Sequence, residues 1–250
     1  LLLDKLSTPM QVSAFGASLR VQSALIFLPT VFSAIIAPEI TRLFASKNLI
    51  QARQLVHKGV RMLLVFAGAL AFGVTTVPDL TIRILFGGET YKDIAPMIVL
   101  LSWAFVGIAY SFYIVEVAIA EGKQWVSMVY MLVSMVVSVS LDFALIPIYG
   151  AYGASWARFV SILAASLTVW QLTRTMNSIA RNQHRSFLFR FCMSIGVGFI
   201  VHYVCSIYEL HDLLDGLLTV SIYLITTFIL GLVNTNDMRL LLPNKIQEVP

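Results

Sequence analysis

The chain has 250 residues, of which 58% are hydrophobic and 12% are charged. Soluble domains carry about 25% charged residues, so this composition excludes an ordinary soluble globule. Apolar stretches of about twenty residues recur along the chain, and each is long enough to cross a hydrocarbon core about 30 Å thick as a helix. Because these stretches are too long and too uniformly apolar for barrel strands, we predict an all-α polytopic transmembrane helix bundle.

The apolar stretches and their breaks predict about seven membrane helices. Pro29 lies inside the first helix, where it removes one backbone hydrogen bond and is expected to kink the helix. Residues 42–58 interleave basic and apolar residues at helical spacing, which suits a helix in the cytoplasmic membrane interface; a solvated linker helix fits the same pattern. The seven predicted helices run over residues 12–38, 59–77, 94–120, 125–146, 150–172, 187–207 and 213–233.

The sequence LIPIYGAYGASWA, residues 145–157, separates the fourth and fifth predicted helices. Pro147 lacks a backbone N–H and restricts the residue before it, so we expect it to end the fourth helix. Gly150 supplies the backbone freedom for a tight turn. Gly153 begins a small-residue face that lets the next helix pack closely. This segment therefore predicts a helical hairpin.

The basic residues follow the positive-inside rule if residue 1 lies outside. Three of the seventeen basic residues then fall outside, two fall within the membrane helices and twelve fall inside. Topology thus accounts for the positive charge, and we expect no nucleic-acid partner. The twelve inside residues are Arg42, Lys47, Arg53, Lys58, Arg61, Lys123, Arg174, Arg181, Arg185, Arg190, Arg239 and Lys245.

Four ionisable residues lie within the predicted membrane helices: Arg20, Arg158, Asp142 and Glu116. Such a group is costly in a bilayer unless it is paired or faces a wet cavity. Arg20 and Arg158 lie at similar depth, so both are candidates to line an outward cavity and bind an anion; for Arg20 the alternative is snorkelling toward the headgroups. For Arg158 the alternative is a structural ion pair with Asp142 across the hairpin. Glu116 is expected to be an interfacial or helix-pairing carboxylate close to Lys123.

The sequence contains no motif that indicates catalysis. Nucleophile motifs, Gly-rich phosphate loops and paired catalytic carboxylates are missing from it, and its four histidines do not have metal-ligand spacing. We therefore expect no enzymatic activity, no cofactor and no bound metal.

Four stretches resemble, in the same order, motifs of the polysaccharide-exporting flippases, in the superfamily that also holds the MATE drug exporters and the lipid II flippases. Residues 145–157 are similar to the family's LIP-x-YG-x-x-GAA-x-A turn, and residues 17–43 to its helix with an internal IP motif. Residues 82–96 resemble its I-x-LLFG stretch, and residues 118–123 its L-x-A-x-G-R/K turn. The likeness covers about residues 10–172. It departs at Asp142, where the family often has Asn.

The resemblance implies that this chain is the second lobe of a two-lobe, inverted-V transporter. Residues 1–11 would then be the stub of a preceding helix and an outer loop. Residues 12–172 would form the lobe, 173–233 two additional transmembrane helices, and 234–250 a cytoplasmic tail.

The implied function is flipping of a polyprenyl-pyrophosphate-linked oligosaccharide across the cytoplasmic membrane of a prokaryote by alternating access. Lipid II flippases have an arginine at a site resembling Arg20, before the proline of the helix. The implied partners are the lipid-linked oligosaccharide, membrane lipids, the N-terminal half of the same protein and a glycan polymerase. One alternative is a MATE-type cation-coupled exporter of small amphiphiles, which would need an acidic cavity; another is a non-transporting membrane scaffold.

Overall fold

The protein is a bundle of membrane-crossing helices. The computed structural model describes residues 8–86, 94–176, 181–208 and 211–233, without the side chains of 85–86, 173–176 and 181–186. These residues form seven helices and no strand, and six of the helices are long and apolar enough to cross a membrane. The all-α, multi-pass prediction is confirmed. The helices are α1 (Pro9–Ala45), α2 (Leu49–Thr76), α3 (Pro78–Phe86), α4 (Ala95–Ala120), α5 (Trp125–Met176), α6 (Arg181–Ile207) and α7 (Asp212–Ile229).

Helix α5 folds back on itself at Gly150. This residue has φ 56° and ψ −132°, outside the helical region. A Cβ atom at Gly153 would lie 2.7 Å from the carbonyl carbon of Leu145, whereas residues eight apart in a straight helix are separated by about 12 Å. Helix α5 therefore contains two membrane spans, and the described chain crosses seven times.

The turn lies three residues after the predicted helix end at Pro147. The first arm stays helical through Pro147 and breaks at Gly150. Proline removes one hydrogen bond and can be accommodated near the end of a helix. The positive φ at Gly150 changes the direction of the chain, and glycine adopts it without a steric penalty.

The first two helices are longer than the hydropathy predicted. Helix α1 continues through Pro29 and Pro38 to Ala45, and α2 begins at Leu49, where the side chain of Asn48 accepts a hydrogen bond from the Gln51 N–H. The predicted separate interfacial helix at 42–58 is not formed. Its residues are divided between the end of α1, a short turn and the start of α2.

Helix α3 occupies part of a segment that the sequence analysis left as an outer loop. It begins with Pro78, carries Asp79 in its first turn and Arg83 in its last turn. Proline is favoured at the first helical position because its φ is already helical. The acidic residue near the start and the basic residue near the end match the helix dipole. Of the predicted stub and outer loop at residues 1–11, residues 1–7 lie outside the described residues, whereas residues 9–11 belong to α1 and are not a loop. The predicted tail at 234–250 also lies outside the described residues.

Spans that follow one another along the chain alternate in direction. In α2, Gly59 lies against the Tyr113 hydroxyl of α4, and Thr75 accepts a hydrogen bond from the Trp103 indole at 3.1 Å. Helices α2 and α4 are therefore antiparallel. One end of the bundle contains residues 46–48, 121–124 and 230–233, and we call it the basic end. The opposite end contains Gly150 and residues 208 and 211, and we call it the turn end.

The last two helices pack against α2 and each other. The Tyr223 hydroxyl donates to the Val65 carbonyl oxygen at 3.3 Å, and its ring centroid is 5.1 Å from that of Phe72. At the turn end, His202 Nδ1 lies 2.7 Å from a carboxylate oxygen of the buried Asp215. At the basic end, Arg190 Nη1 donates to the Leu230 carbonyl oxygen at 3.2 Å. Helix α2 therefore contacts α6 and α7 as well as α1 and α4.

Candidate anion-binding site

A buried glutamine joins three helices near the turn end. Gln22 of α1 is 1% exposed. Its amide nitrogen donates to the Leu101 carbonyl oxygen of α4 at 3.0 Å, and its amide oxygen accepts from Arg158 Nε of α5 at 2.8 Å. Both halves of the amide are therefore satisfied, as burial of a polar group requires. Sequence reasoning missed Gln22, although an uncharged polar residue inside an apolar helix was a usable signal.

The Gln22 contact fixes the orientation of Arg158. This side chain is half-buried, and within the part of the chain that the structure describes Nε makes its only hydrogen bond. Its two terminal nitrogens thus have no partner there. A guanidinium presents these nitrogens as a planar fork that matches phosphate oxygens. The arrangement can accept an anion without losing the contact to Gln22.

The predicted ion pair between Asp142 and Arg158 is not formed among the described residues. Asp142 accepts a long hydrogen bond from Ser138 at 3.5 Å, one turn earlier on its own helix. The contact of Arg158 Nε with Gln22 holds the guanidinium toward α1, and among the described residues no hydrogen bond or ion pair joins it to Asp142.

Hydroxyl groups continue the polar contacts along the same helix interface. Ser111 Oγ of α4 donates to Ser166 Oγ of α5 at 2.8 Å, and Ser166 Oγ lies 3.1 Å from the Gly107 carbonyl oxygen. These groups hold α4 against the second arm of α5, on the basic-end side of Arg158.

Arg20 is exposed on the other side of α1. Arg20 and Gln22 are two positions apart, which corresponds to about 200° around a helix and about 3 Å along it. Within the described ranges Arg20 makes no hydrogen bond or ion pair, and it shares its exposed face with Phe27, Val31 and Ile35. The structure therefore places Arg20 and Arg158 at one level of the bundle but on different sides of α1, and it does not join them in one pocket.

No known protein family, curated protein or solved structure matches the chain. Among the described residues no group of three or more His, Cys, Asp or Glu side chains could hold a metal ion.

Glu116 lies apart from this site, toward the basic end of α4. The sequence analysis expected it close to Lys123, but Lys123 Nζ bonds the Glu121 carboxylate at 2.7 Å. The backbone explains the difference, because α4 ends at Ala120 and Gly122, with φ 79°, turns the chain. Glu121 is therefore the nearer carboxylate.

A separate polar cleft of about 510 Å³ opens at the turn end. It lies where the ends of α2 and α3 meet those of α6 and α7. Its charge is mainly negative, so it does not suit an anion. The residues that line it are Thr75, Thr76, Pro78, Asp79, His202, Ser206, Asp212 and Asp215.

Replacing Gln22 with Leu is expected to destabilise the bundle by about 1 to 3 kcal/mol. The change leaves Arg158 Nε without its partner, a loss that costs about 1–3 kcal/mol, whereas the Leu101 carbonyl keeps its hydrogen bond within α4. Thermal unfolding of the purified protein in detergent measures the loss. Gln11→Leu is the matched control, because Gln11 is exposed. Equal melting temperatures for the two variants would contradict the bridging role of Gln22.

Proposed function

We propose that the protein is a lobe of a flippase that moves a polyprenyl-pyrophosphate-linked oligosaccharide from the inner to the outer leaflet of a prokaryotic cytoplasmic membrane. The observation that carries the proposal is the pair of arginines at one membrane level. Arg20 is unpartnered and Arg158 keeps its terminal nitrogens unpartnered within the described residues. Fixed positive charge at this depth suits a pyrophosphate, which must lose water as it crosses.

The resemblance of residues 10–172 to the polysaccharide flippases supports the same assignment. Under this proposal the basic end is cytoplasmic, in agreement with the positive-inside distribution, and the arginines lie nearer the outer surface. A preceding lobe would provide the opposite wall of the central cavity. The two lobes would rock about this site to give alternating access.

Complementation tests the proposed cargo. The full-length gene, introduced into a strain that lacks its polysaccharide flippase but assembles a compatible lipid-linked glycan, is expected to restore surface polysaccharide. The control is the same strain with the empty vector. Increased resistance to cationic amphiphiles without surface polysaccharide would instead support a cation-coupled exporter. Restoration of neither phenotype, with the protein present in the membrane, would contradict transport of this cargo.

A further inference from the structure

Arginines from two other helices contact the end of α7 at the basic end. Arg61 of α2 donates from Nη2 to the Gly231 carbonyl oxygen. Arg190 of α6 donates from Nη1 to the Leu230 carbonyl oxygen at 3.2 Å. The Arg61 guanidinium carbon also lies 5.8 Å from the centre of the Phe187 ring of α6, within the range of a cation–π contact. Contacts among three helices therefore place two guanidinium groups at neighbouring carbonyls, and we call this arrangement the basic pocket.

The positive charge of the basic pocket exceeds what the end of α7 can offset. The C-terminus of a helix carries about half a negative charge, whereas the two arginines carry two positive charges. Arg53 and Lys58 add two more, and both lie within about 80° of Arg61 around α2. Neither α2 nor α6 contains Asp or Glu, and the acidic residues of α7 lie at its other end. Among the described residues, these three helices therefore contribute no carboxylate to the pocket.

Arg190 has donors left for a ligand. Its side chain is exposed, and the contact with Leu230 uses one of the five N–H donors of a guanidinium. These donors form a planar fork that matches the oxygens of a phosphate group. The pocket can therefore bind a phosphate while Arg190 keeps its contact with α7.

The neighbouring side chains favour a phosphate that is carried by a lipid. Ile229, which precedes Leu230, is exposed, as are Phe189 and Met193 of α6. Because α6 runs from the basic end toward the turn end, Met193 lies about one turn deeper in the membrane than Arg190. The charged groups thus lie at the end of the spans, with exposed apolar side chains beside and beneath them. An anionic phospholipid matches this order, because its headgroup lies above its acyl chains.

We propose that Arg61 and Arg190 bind the phosphate of an anionic phospholipid in the leaflet that surrounds the basic end. Basic pockets between membrane helices are typical binding places for anionic headgroups. The bound lipid joins α2 and α6 to the end of α7 and so stabilises the packing of the last two helices. The inference rests on the contacts and charges of this pocket, and it holds whether or not the protein carries glycans.

Lipid-dependent stability of the purified full-length protein tests the pocket. In a neutral detergent, dioleoyl phosphatidylglycerol is expected to raise the melting temperature by roughly 5 °C more than dioleoyl phosphatidylcholine, in a saturable manner. Arg190→Gln is expected to raise the half-saturating phosphatidylglycerol concentration about tenfold, because it removes a charged donor. Combining it with Arg61→Gln is expected to abolish the difference between the lipids. The matched control, Arg42→Gln, removes an exposed arginine at the basic end of α1 and is expected to keep the full shift.

The same assay distinguishes a lipid from a soluble anion. At constant ionic strength, inorganic phosphate replacing chloride is expected to leave the melting temperature unchanged. A shift with inorganic phosphate equal to that with phosphatidylglycerol would overturn the lipid assignment and identify a site for a soluble anion. Equal shifts with the two lipids would also overturn the proposal. So would an equal loss of the effect in Arg42→Gln, because the effect would then come from general surface charge.

Native mass spectrometry counts the bound lipid and does not require the variants to differ in stability. The wild type is expected to retain one phosphatidylglycerol molecule, and Arg190→Gln is expected to lose it at the same lipid concentration. Because Arg190 is exposed, its replacement is expected to leave the protein folded. Wild-type retention of phosphatidylglycerol by Arg190→Gln would contradict the proposal. Neither measurement involves transport, so failure here would leave the flippase proposal intact.

Discussion

Replacing Arg20 with Ala is expected to abolish glycan export while leaving the amount of protein in the membrane near the wild-type level. Arg20 has no partner among the described residues, so its removal breaks no contact there and creates no buried unpaired group. Its loss would remove fixed positive charge from the outer half of α1. A pyrophosphate at that depth would lose a charge-assisted pair of hydrogen bonds, which are stronger than neutral ones.

Two further substitutions at Arg20 separate charge from geometry. Arg20→Lys is expected to keep partial export, because the ammonium keeps the charge and lacks the planar fork. Arg20→Glu is expected to be inactive, since a like charge repels the cargo. The control is Arg42→Ala on the same helix, where the side chain is 74% exposed and paired with Glu39 at 2.7 Å. Surface polysaccharide in the complemented strain, normalised to membrane protein, is the measurement. Wild-type export by Arg20→Ala would end the anion-binding role and favour snorkelling.

Replacing Gly153 with Ala is expected to destabilise the hairpin of α5 by about 3 kcal/mol or more. The added Cβ would lie 2.7 Å from the Leu145 carbonyl carbon and closer still to its oxygen. Both are backbone atoms, so relief requires the two arms to separate, and overpacking of this kind costs about 1–3 kcal/mol even where side chains can yield. Separation of the arms would also displace Arg158, which follows Gly153 by five residues on the second arm.

The matched control for Gly153 is Gly73→Ala in α2, because a Cβ atom there meets no atom within 4 Å. Alanine also has the higher helix propensity, so Gly73→Ala is expected to be neutral or slightly stabilising. Thermal unfolding in detergent and membrane abundance measure the difference. If Gly153→Ala unfolds at the same temperature as Gly73→Ala, the close approach at Leu145 does not constrain the hairpin.

Much of the fold could be predicted because membrane spans depend on local composition. The limits of α4 agree with the predicted span within one residue, and the hairpin at Gly150 was predicted from its turn residues. The errors occurred where a boundary depends on contacts. Hydropathy placed the end of the first helix near Pro38, whereas the polar residues after it continue the helix to Ala45. Hydropathy cannot detect such an extension, because it measures transfer to lipid and not backbone hydrogen bonding.

The candidate site was predictable in its charges but not in its contacts. Arg158 stood out as an arginine in an apolar helix, and Asp142 is the acidic residue nearest to it across the turn. The actual partner, Gln22, is 136 residues away in sequence, and which face of α1 meets α5 is decided by packing of all three helices. Helix geometry alone places Arg20 and Gln22 on opposite sides of α1, but the sequence could not show which of the two faces α5.

The position of Tyr223 has a consequence for the order of synthesis. Its hydroxyl bonds the Val65 carbonyl oxygen across 158 residues, and its ring covers Gly68 of α2. At bacterial or eukaryotic elongation rates, roughly 8 to 30 s pass between translation of these two positions. During that interval this face of α2 must remain against lipid or an insertion chaperone. The bundle is thus completed from its carboxyl end, and α2, although made early, acquires its last neighbour only when α7 enters the membrane.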